Sequence, residues 1–343
     1  MDRDEMGRAL ARYIKDQTGA IHVDVIEFHH LSGGAIQSNY ALTVDCAGGC
    51  RPGRLELVVR SDSPSQIDFS LTREQEFQVL SVARNAGVMV PQPLYLCTDK
   101  SVMGNVFSVM ARVKGAADAR KLVRGGLNTD QADGLTRRLG LELARLHQVR
   151  PPDARLDFLP VPGQSPALMR VQEYRRALNA ISEPHPVLEW SLNWLQDHAP
   201  QKYEITLCHG DFRTGNYMVD EGQLTGILDW EFAAWNDPYE DLGWICSKSW
   251  RFGANAKEVG GVGDKETFFN SYSSLSGEPV SPGKVLYWEV MGMTRWAIIA
   301  LQQTRRYLSG EQLSLELALT GRLLPEIEFD LLTQIHELES GHE

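Results

Sequence analysis

The residues between His209 and Asp229 combine the side chains and the spacing that phosphoryl transfer needs. His209-Gly210-Asp211 closes a short apolar run, Glu204-Ile205-Thr206-Leu207-Cys208. Asn216 follows five positions after Asp211, at the start of the strand-like Tyr217-Met218-Val219. Glu221-Gly222-Gln223 is a turn signal, and Leu224 to Leu228 reads as a returning strand that delivers Asp229 to its end. Such a hairpin brings Asn216 and Asp229 side by side as two oxygen ligands. Mg²⁺ prefers that kind of site, with few protein oxygens and with water and phosphate completing its shell. Asp211, on the preceding loop, is suited to accept the proton of an attacking hydroxyl. Any one of these residues alone reads as ordinary loop polarity; the combination does not.

His-x-Asp-x4-Asn is the spacing of a kinase catalytic loop, in which the Asp is the base and the Asn a metal ligand. The run His209-Gly210-Asp211-Phe212-Arg213-x-Gly-Asn216, then Ile227-Leu228-Asp229-Trp230-Glu231, then Asp237-Pro238-x-x-Asp241-Leu242, resembles the aminoglycoside phosphotransferase-like family of small-molecule kinases. That family is related to protein kinases and choline kinases, and the wording is most similar to its branch found beside acyl-CoA dehydrogenases. The resemblance implies that Asp211 is the catalytic base, that Asn216 and Asp229 hold Mg²⁺, and that Asp241 braces the loop. Asp229-Trp230-Glu231 stands where protein kinases carry Asp-Phe-Gly, so regulation through an activation loop is not expected.

The elements that must position these residues are legible as a pattern. Arg8 to Lys15 has helical spacing, Ile21 to Phe28 alternates as a strand, and Ala41 to Asp45 and Leu55 to Arg60 read as antiparallel strands. Ser32, Gly33 and Gly34 allow a tight turn whose N–H groups can approach phosphate. The resemblance makes that turn the nucleotide loop. It also places Arg60 where most kinases carry Lys, a position at which the similar branch uses Arg. Arg offers a bidentate fork to phosphate oxygens, in a geometry that Lys does not share. Leu71 to Arg84 is a helix candidate offering Glu74 and Glu76 to pair with Arg60, and the family pattern of an acid before an aromatic residue selects Glu76, beside Phe77. The strand Val106 to Met110 leads into the segment that the resemblance makes the hinge, with the backbone of Met110 and Val113 at the purine edge.

Further on, Leu135, Leu139, Leu143 and Leu146 form one buried helical stripe ending at His147, read as a core or capping residue. Helices over Val171 to Ala180 and Val187 to His198 carry no readable motif; the resemblance makes them walls of an acceptor pocket. Arg251 to Lys265 is Gly-rich and reads as a mobile loop, and Val285 to Tyr307 as an apolar helix too rich in Arg, Glu and Gln to span a membrane. Arg112, Lys114, Arg120, Lys121 and Arg124 make a basic patch, either a solvated surface or a seat for an anionic tail such as a CoA phosphate.

Composition excludes several classes. The 343 residues suit about two domains, and 43% hydrophobic with 23% charged residues is ordinary for a globular protein. A net charge of −11 argues against a nucleic-acid binder, which needs a basic face. The five scattered cysteines lack the spacing of a zinc site. With no signal segment and no long apolar run, a cytoplasmic protein is expected.

The sequence therefore predicts an α+β, bilobal, protein-kinase-like fold. Residues 1–112 form a nucleotide-binding lobe with an antiparallel sheet, and residues 113–343 a larger, mainly helical lobe. ATP or GTP is expected between the lobes with Mg²⁺, and a small-molecule hydroxyl acceptor receives the phosphoryl group. No nucleic-acid or membrane partner is expected, and the sequence carries no signal for oligomeric state. Two other readings stay open: a nucleotide-binding module without catalysis, suggested by Arg60, and a metal-dependent hydrolase built on His209, Asp211 and Asp229. The hydrolase needs a further His or acid at ligand spacing.

Overall fold

The computed structural model describes residues 2–31, 37–62 and 70–341. In chain order its elements are α1 (Arg3–Thr18), β1 (His22–His30), β2 (Gln37–Ala47), β3 (Gly53–Asp62), α2 (Arg73–Asn85), β4 (Pro93–Cys97) and β5 (Phe107–Ala111). There follow α3 (Ala119–Val123), α4 (Thr129–Leu146), α5 (Pro166–Asn179), α6 (Pro186–Asp197), β6 (Thr206–Cys208), β7 (Tyr217–Asp220), β8 (Gln223–Ile227) and β9 (Ala234–Asn236). The chain ends with α7 (Tyr239–Cys246), α8 (Lys265–Ser276), α9 (Pro282–Leu308), α10 (Leu315–Gly321) and α11 (Leu324–Ser340). Two compact units result: Met1–Ala116 with Pro152–Phe158 and Tyr217–Ala233, and Ala117–Pro151 with Leu159–Asn216 and Ala234–Glu343.

The first unit is an antiparallel five-stranded sheet in the order β1-β2-β3-β5-β4. Alternation along β3 buries Leu57 and Val59 with Leu42, Val44, Phe107 and Val109 in one core, which α1 covers with Leu10 and Ile14. Each such side chain contributes about 1.5–3 kcal/mol relative to an exposed one. The same alternation sends Arg60 to the other side of the strand. α2 starts at Thr72, whose hydroxyl and backbone form a reciprocal capping box with Gln75. Its buried face then runs Arg73, Glu76, Val79, Leu80 and Ala83, so the first turn carries charge and the later turns carry the core.

The β7–β8 hairpin belongs to this unit. Asp220 pairs with Gln223 across Glu221 and Gly222, both at positive φ, the turn that suits the twist of a tight hairpin. Ile227 N–H donates to Met89 O at 2.8 Å, Thr225 Oγ1 to Lys114 O at 2.6 Å, and Ala116 bridges Val219. The hairpin is thereby stitched to the chain on both sides of β4 and β5.

In the second unit β6 pairs with β9, so the loop that follows β6 starts beside the entry to α7. α5, α6, α9 and α11 share one core of Val171, Leu178, Leu188, Leu192, Leu195, Trp288, Met291, Leu331 and Ile335. Gly243 of α7 lies against α9, where an added Cβ would sit 2.4 Å from Trp288 Cβ and 2.9 Å from Glu289 N. The Gly-rich 251–265 stretch differs from the expected mobile loop. Gly260 N–H donates to Ile245 O at 2.9 Å and Gly260 O accepts from Thr214 Oγ1 at 2.7 Å, which ties it to α7 and the loop after β6. No helix among the described residues is long and apolar enough to cross a membrane.

The α7–α9 contact has no room for a methyl group. Gly243→Ala is expected to cost about 1–3 kcal/mol through overpacking, read as a lower thermal midpoint. An unchanged midpoint would mean that the two helices part easily.

Candidate active site

The loop after β6 turns at Gly210, whose φ of 77° is open to glycine at little cost. What holds the turn is Asp241 on α7. This carboxylate, fully buried, accepts His209 N–H at 2.7 Å on Oδ2 and Gly210 N–H at 2.9 Å on Oδ1. His147, the residue capping α4, places Nε2 at 3.2 Å from Asp241 Oδ2, and its Nδ1 meets the phenolic Oη of Tyr272 at 2.9 Å. Burial alone would push the Asp241 carboxyl up; the hydrogen bond and charge of His147, with His209, outweigh it and hold the group below its usual range. Asp241 is thus the brace that the family resemblance implied, and His147 is part of it.

Asp211 sits one residue beyond this brace and is nearly buried. Its Oδ1 accepts from Trp244 Nε1 at 2.8 Å and from Arg213 Nε at 3.2 Å, and its Oδ2 accepts from Asn216 Nδ2 at 2.6 Å. Asn216 Nδ2 also donates to Asp211 O at 3.0 Å. Two acceptors on one side fix the amide orientation, so the Asn216 carbonyl oxygen faces away from Asp211. That oxygen is the atom a hard cation takes.

In the other unit, Arg60 Nη2 lies 2.9 Å from Glu76 Oε1 and 2.7 Å from Asp229 Oδ1, so the predicted Arg60–Glu76 pair is formed. Arg73 joins it, bonding Glu76 Oε2 through Nη1 and Asp62 at 3.2 Å through Nη2. Burial works against the Arg60 charge, but Glu76 and then Asp229 raise its pKa above the ordinary arginine range. Arg60 Nε is buried with no hydrogen-bond acceptor among the described residues. Asp229 has φ 67°, a left-handed backbone that a non-glycine residue adopts at a cost of about 1–3 kcal/mol. Trp230 Nε1 donates to Ile227 O at 3.1 Å and Leu71 N–H to Glu231 O at 2.8 Å, which lock the chain on either side of that strained residue. The Asp229 carboxylate, partly exposed, is a hard oxygen donor of the kind Mg²⁺ prefers.

Of the expected purine-edge residues, Met110 is enclosed in the sheet, paired with Val58 on one side and Pro93 on the other, whereas Val113 lies past the end of β5. Ser32, Gly33 and Gly34 lie outside the described residues. Three contacts of the site were not read from the sequence: Trp244, Arg213 as a partner of Asp211, and Arg295. Arg295 donates to Gly210 O at 2.6 Å and lies over the Trp244 ring at 4.5 Å. The tryptophan directly after Asp241-Leu242-Gly243 was the available signal, being i+3 from the brace on one helix face. Among the described residues, His147, Cys208 and Asp241 form a group whose ligand atoms lie within 4.8 Å of one another. His147 and Asp241 are spent on the brace, and burial pushes the Cys208 thiol well up, away from the thiolate a metal needs.

This fold and loop match the phosphotransferase enzyme family over residues 27–274, and the chain belongs to that family. It is 27% identical over 242 residues to mouse (Mus musculus) acyl-CoA dehydrogenase family member 10, a match covering 69% of this chain and 22% of that protein. The chain therefore spans less than a quarter of that relative's length. Among solved structures, a candidate aminoglycoside phosphotransferase from Ralstonia eutropha superposes with a TM-score of 0.76 at 21% identity, over 96% of this chain and 98% of that one. A spectinomycin phosphotransferase in complex with ADP and spectinomycin superposes with a TM-score of 0.60 at 15% identity, over 95% of this chain and 98% of that one. The bilobal kinase-like fold and the small-molecule phosphotransferase family expected from the motifs are borne out.

Asp237, at the entry to α7, caps Tyr239 N–H at 3.0 Å, and burial raises its carboxyl from 3.8 to about 7. Between those values the folded chain holds a proton that the unfolded chain has lost, so stability present at low pH falls as the pH rises through about 7. Asp237→Asn keeps the cap and removes the titration. Chemical denaturation between about pH 5 and pH 7 is expected to show a flatter stability profile in the variant than in the wild type. Parallel profiles would show that Asp237 titrates normally.

Proposed function

We propose that this protein is a Mg²⁺-dependent kinase that moves the γ-phosphoryl group of ATP, or of GTP, to a hydroxyl of a small molecule. The observation that carries this reading is the Asp211 carboxylate. Oδ1 accepts two hydrogen bonds and Oδ2 one, so Oδ2 retains a lone-pair direction for an incoming proton. The acceptor O–H gives its proton to Asp211 Oδ2 as its oxygen bonds the γ-phosphorus. The bond from that phosphorus to the bridging oxygen breaks, and the electron pair leaves on the nucleoside diphosphate.

The remaining residues bind and orient. Arg60 offers its uncommitted donors to phosphate oxygens, its guanidinium held by Glu76, which Arg73 holds in turn. Asp229 and Asn216 would hold the Mg²⁺, which when bound supplies neutralising charge to the phosphates. The Ser32-Gly33-Gly34 segment is assigned to the phosphates, and the backbone of Met110 and Val113 to the base. Positioning and charge neutralisation carry most of the rate in such chemistry. The relative named as an acyl-CoA dehydrogenase family member makes a hydroxyacyl-CoA the first acceptor to test. Alcohols of the aminoglycoside kind are the second, since the spectinomycin phosphotransferase shares the fold. The exposed cations Arg112, Lys114, Arg120, Lys121 and Arg124 are of the right sign for a CoA phosphate.

Asp211→Asn removes the proton acceptor and leaves the phosphate ligands. With radiolabelled γ-phosphate and a panel of hydroxyl acceptors, turnover is expected to drop by roughly 10²–10⁴ while nucleotide affinity holds. Full activity in this variant would overturn the assignment of the base.

A further inference from the structure

Trp244 occupies a place that no brace of the loop backbone requires. It lies three residues after Asp241 on α7, so both side chains leave the same face of the helix. Asp241 grips the main chain at His209 and Gly210; Trp244 Nε1 grips the carboxylate of Asp211 at 2.8 Å. The indole has little freedom of its own. Arg295 lies over its ring at 4.5 Å, and Trp250 meets it edge-on at 5.0 Å between centroids with 62° between planes. Arg295 and Gly292 both come from α9, and a Cβ at Gly292 would sit 3.1 Å from Trp244 Cε3, so that helix passes against the indole.

Resting on the kinase reading above, we propose that Trp244 is a positioning residue for the base: its N–H occupies Asp211 Oδ1 and turns Oδ2 towards the acceptor hydroxyl. An indole N–H can donate and never accept, so it cannot take the proton itself. Its role is to hold one rotamer of the carboxylate and to leave a single oxygen open. Arg213, which reaches the same Oδ1 at 3.2 Å and stacks over Trp250 at 4.6 Å, supplies the second donor. Asn216 then divides its duties, with Nδ2 on Asp211 and its carbonyl oxygen left for the cation. Tryptophan at this position therefore specifies a hydrogen-bonding function as well as a volume, which phenylalanine would fill less completely and histidine would not match.

The test uses the full chain labelled with ¹⁵N at its tryptophans, and Trp244→Phe, which removes the N–H and keeps an aromatic ring under Arg295. The Trp244 indole resonance, assigned by its loss in that variant, is expected to lie downfield and to move upfield in Asp211→Asn. Mg²⁺–ATP hydrolysis with water as the acceptor is the kinetic probe. In Trp244→Phe its kcat is expected to fall by about 10- to 100-fold, the loss of one hydrogen bond to a charged group, with nucleotide KM unchanged. If Trp244→Phe does not fold, benzothienylalanine at the same site keeps the bicyclic shape without the N–H and is expected to give the same loss. An indole resonance indifferent to Asp211→Asn, or an unchanged kcat in a folded variant, would overturn the proposal. No hydrolysis by the wild type would leave the kinase reading to the acceptor assay, and the indole response would then decide the positioning of Asp211 by itself.

Discussion

Asp241 is a carboxylate fully buried from solvent, and the helical unit is built to replace its hydration. Moving a charge out of solvent costs several kcal/mol unless donors take over its hydration. Here the donors are two consecutive backbone N–H groups, His209 and Gly210, and the imidazole of His147. They come from two separate pieces of chain, the loop after β6 and the end of α4, with Tyr272 of α8 behind the imidazole. The arrangement makes the loop conformation a condition of burying the charge. A loop that opened would strand a buried anion, so the pose of Asp211 is set by an energy much larger than its own hydrogen bonds.

The sheet unit applies the same logic with the opposite sign. Arg60 is a largely buried cation whose partners, Glu76 and Asp229, come from α2 and from the end of the β7–β8 hairpin. Arg73 and Asp62 extend the set, so that each charge has a counterpart and none is left alone at the helix start. The strain at Asp229 is tolerated because Ile227, Trp230 and Glu231 are bonded on either side of it. Local strain held in place by surrounding bonds is characteristic of residues kept for what they bind.

Much of this was legible in the sequence, for physical reasons. The apolar run from Leu55 announced the strand that ends in Arg60, and the family pattern of an acid before an aromatic residue identified Glu76 as the partner of Arg60. The apolar stripe from Leu135 to Leu146 announced α4. The spacing of Asp211, Asn216 and Asp229 announced the chemistry, because backbone turns fix where those side chains emerge. Trp244 and Arg295 were not legible in that way. Tryptophan on a helix beside a core reads as packing, and only the distance to Asp211 Oδ1 shows the N–H in use. His147 was read as a core or capping residue, which it is, but its bond to Asp241 depends on a contact 94 residues away. The tie between Thr214 and Gly260, which anchors a stretch read as a mobile loop, is equally non-local.

The proposed place of Asp229 in a metal–nucleotide site is tested most directly by thermal-shift titration of the wild type and Asp229→Asn with ATP and with GTP, each with and without Mg²⁺. The account predicts stabilisation of the wild type that requires Mg²⁺ and disappears in the variant. Wild-type stability indifferent to both nucleotides, or a Mg²⁺-dependent shift that survives in Asp229→Asn, would contradict it.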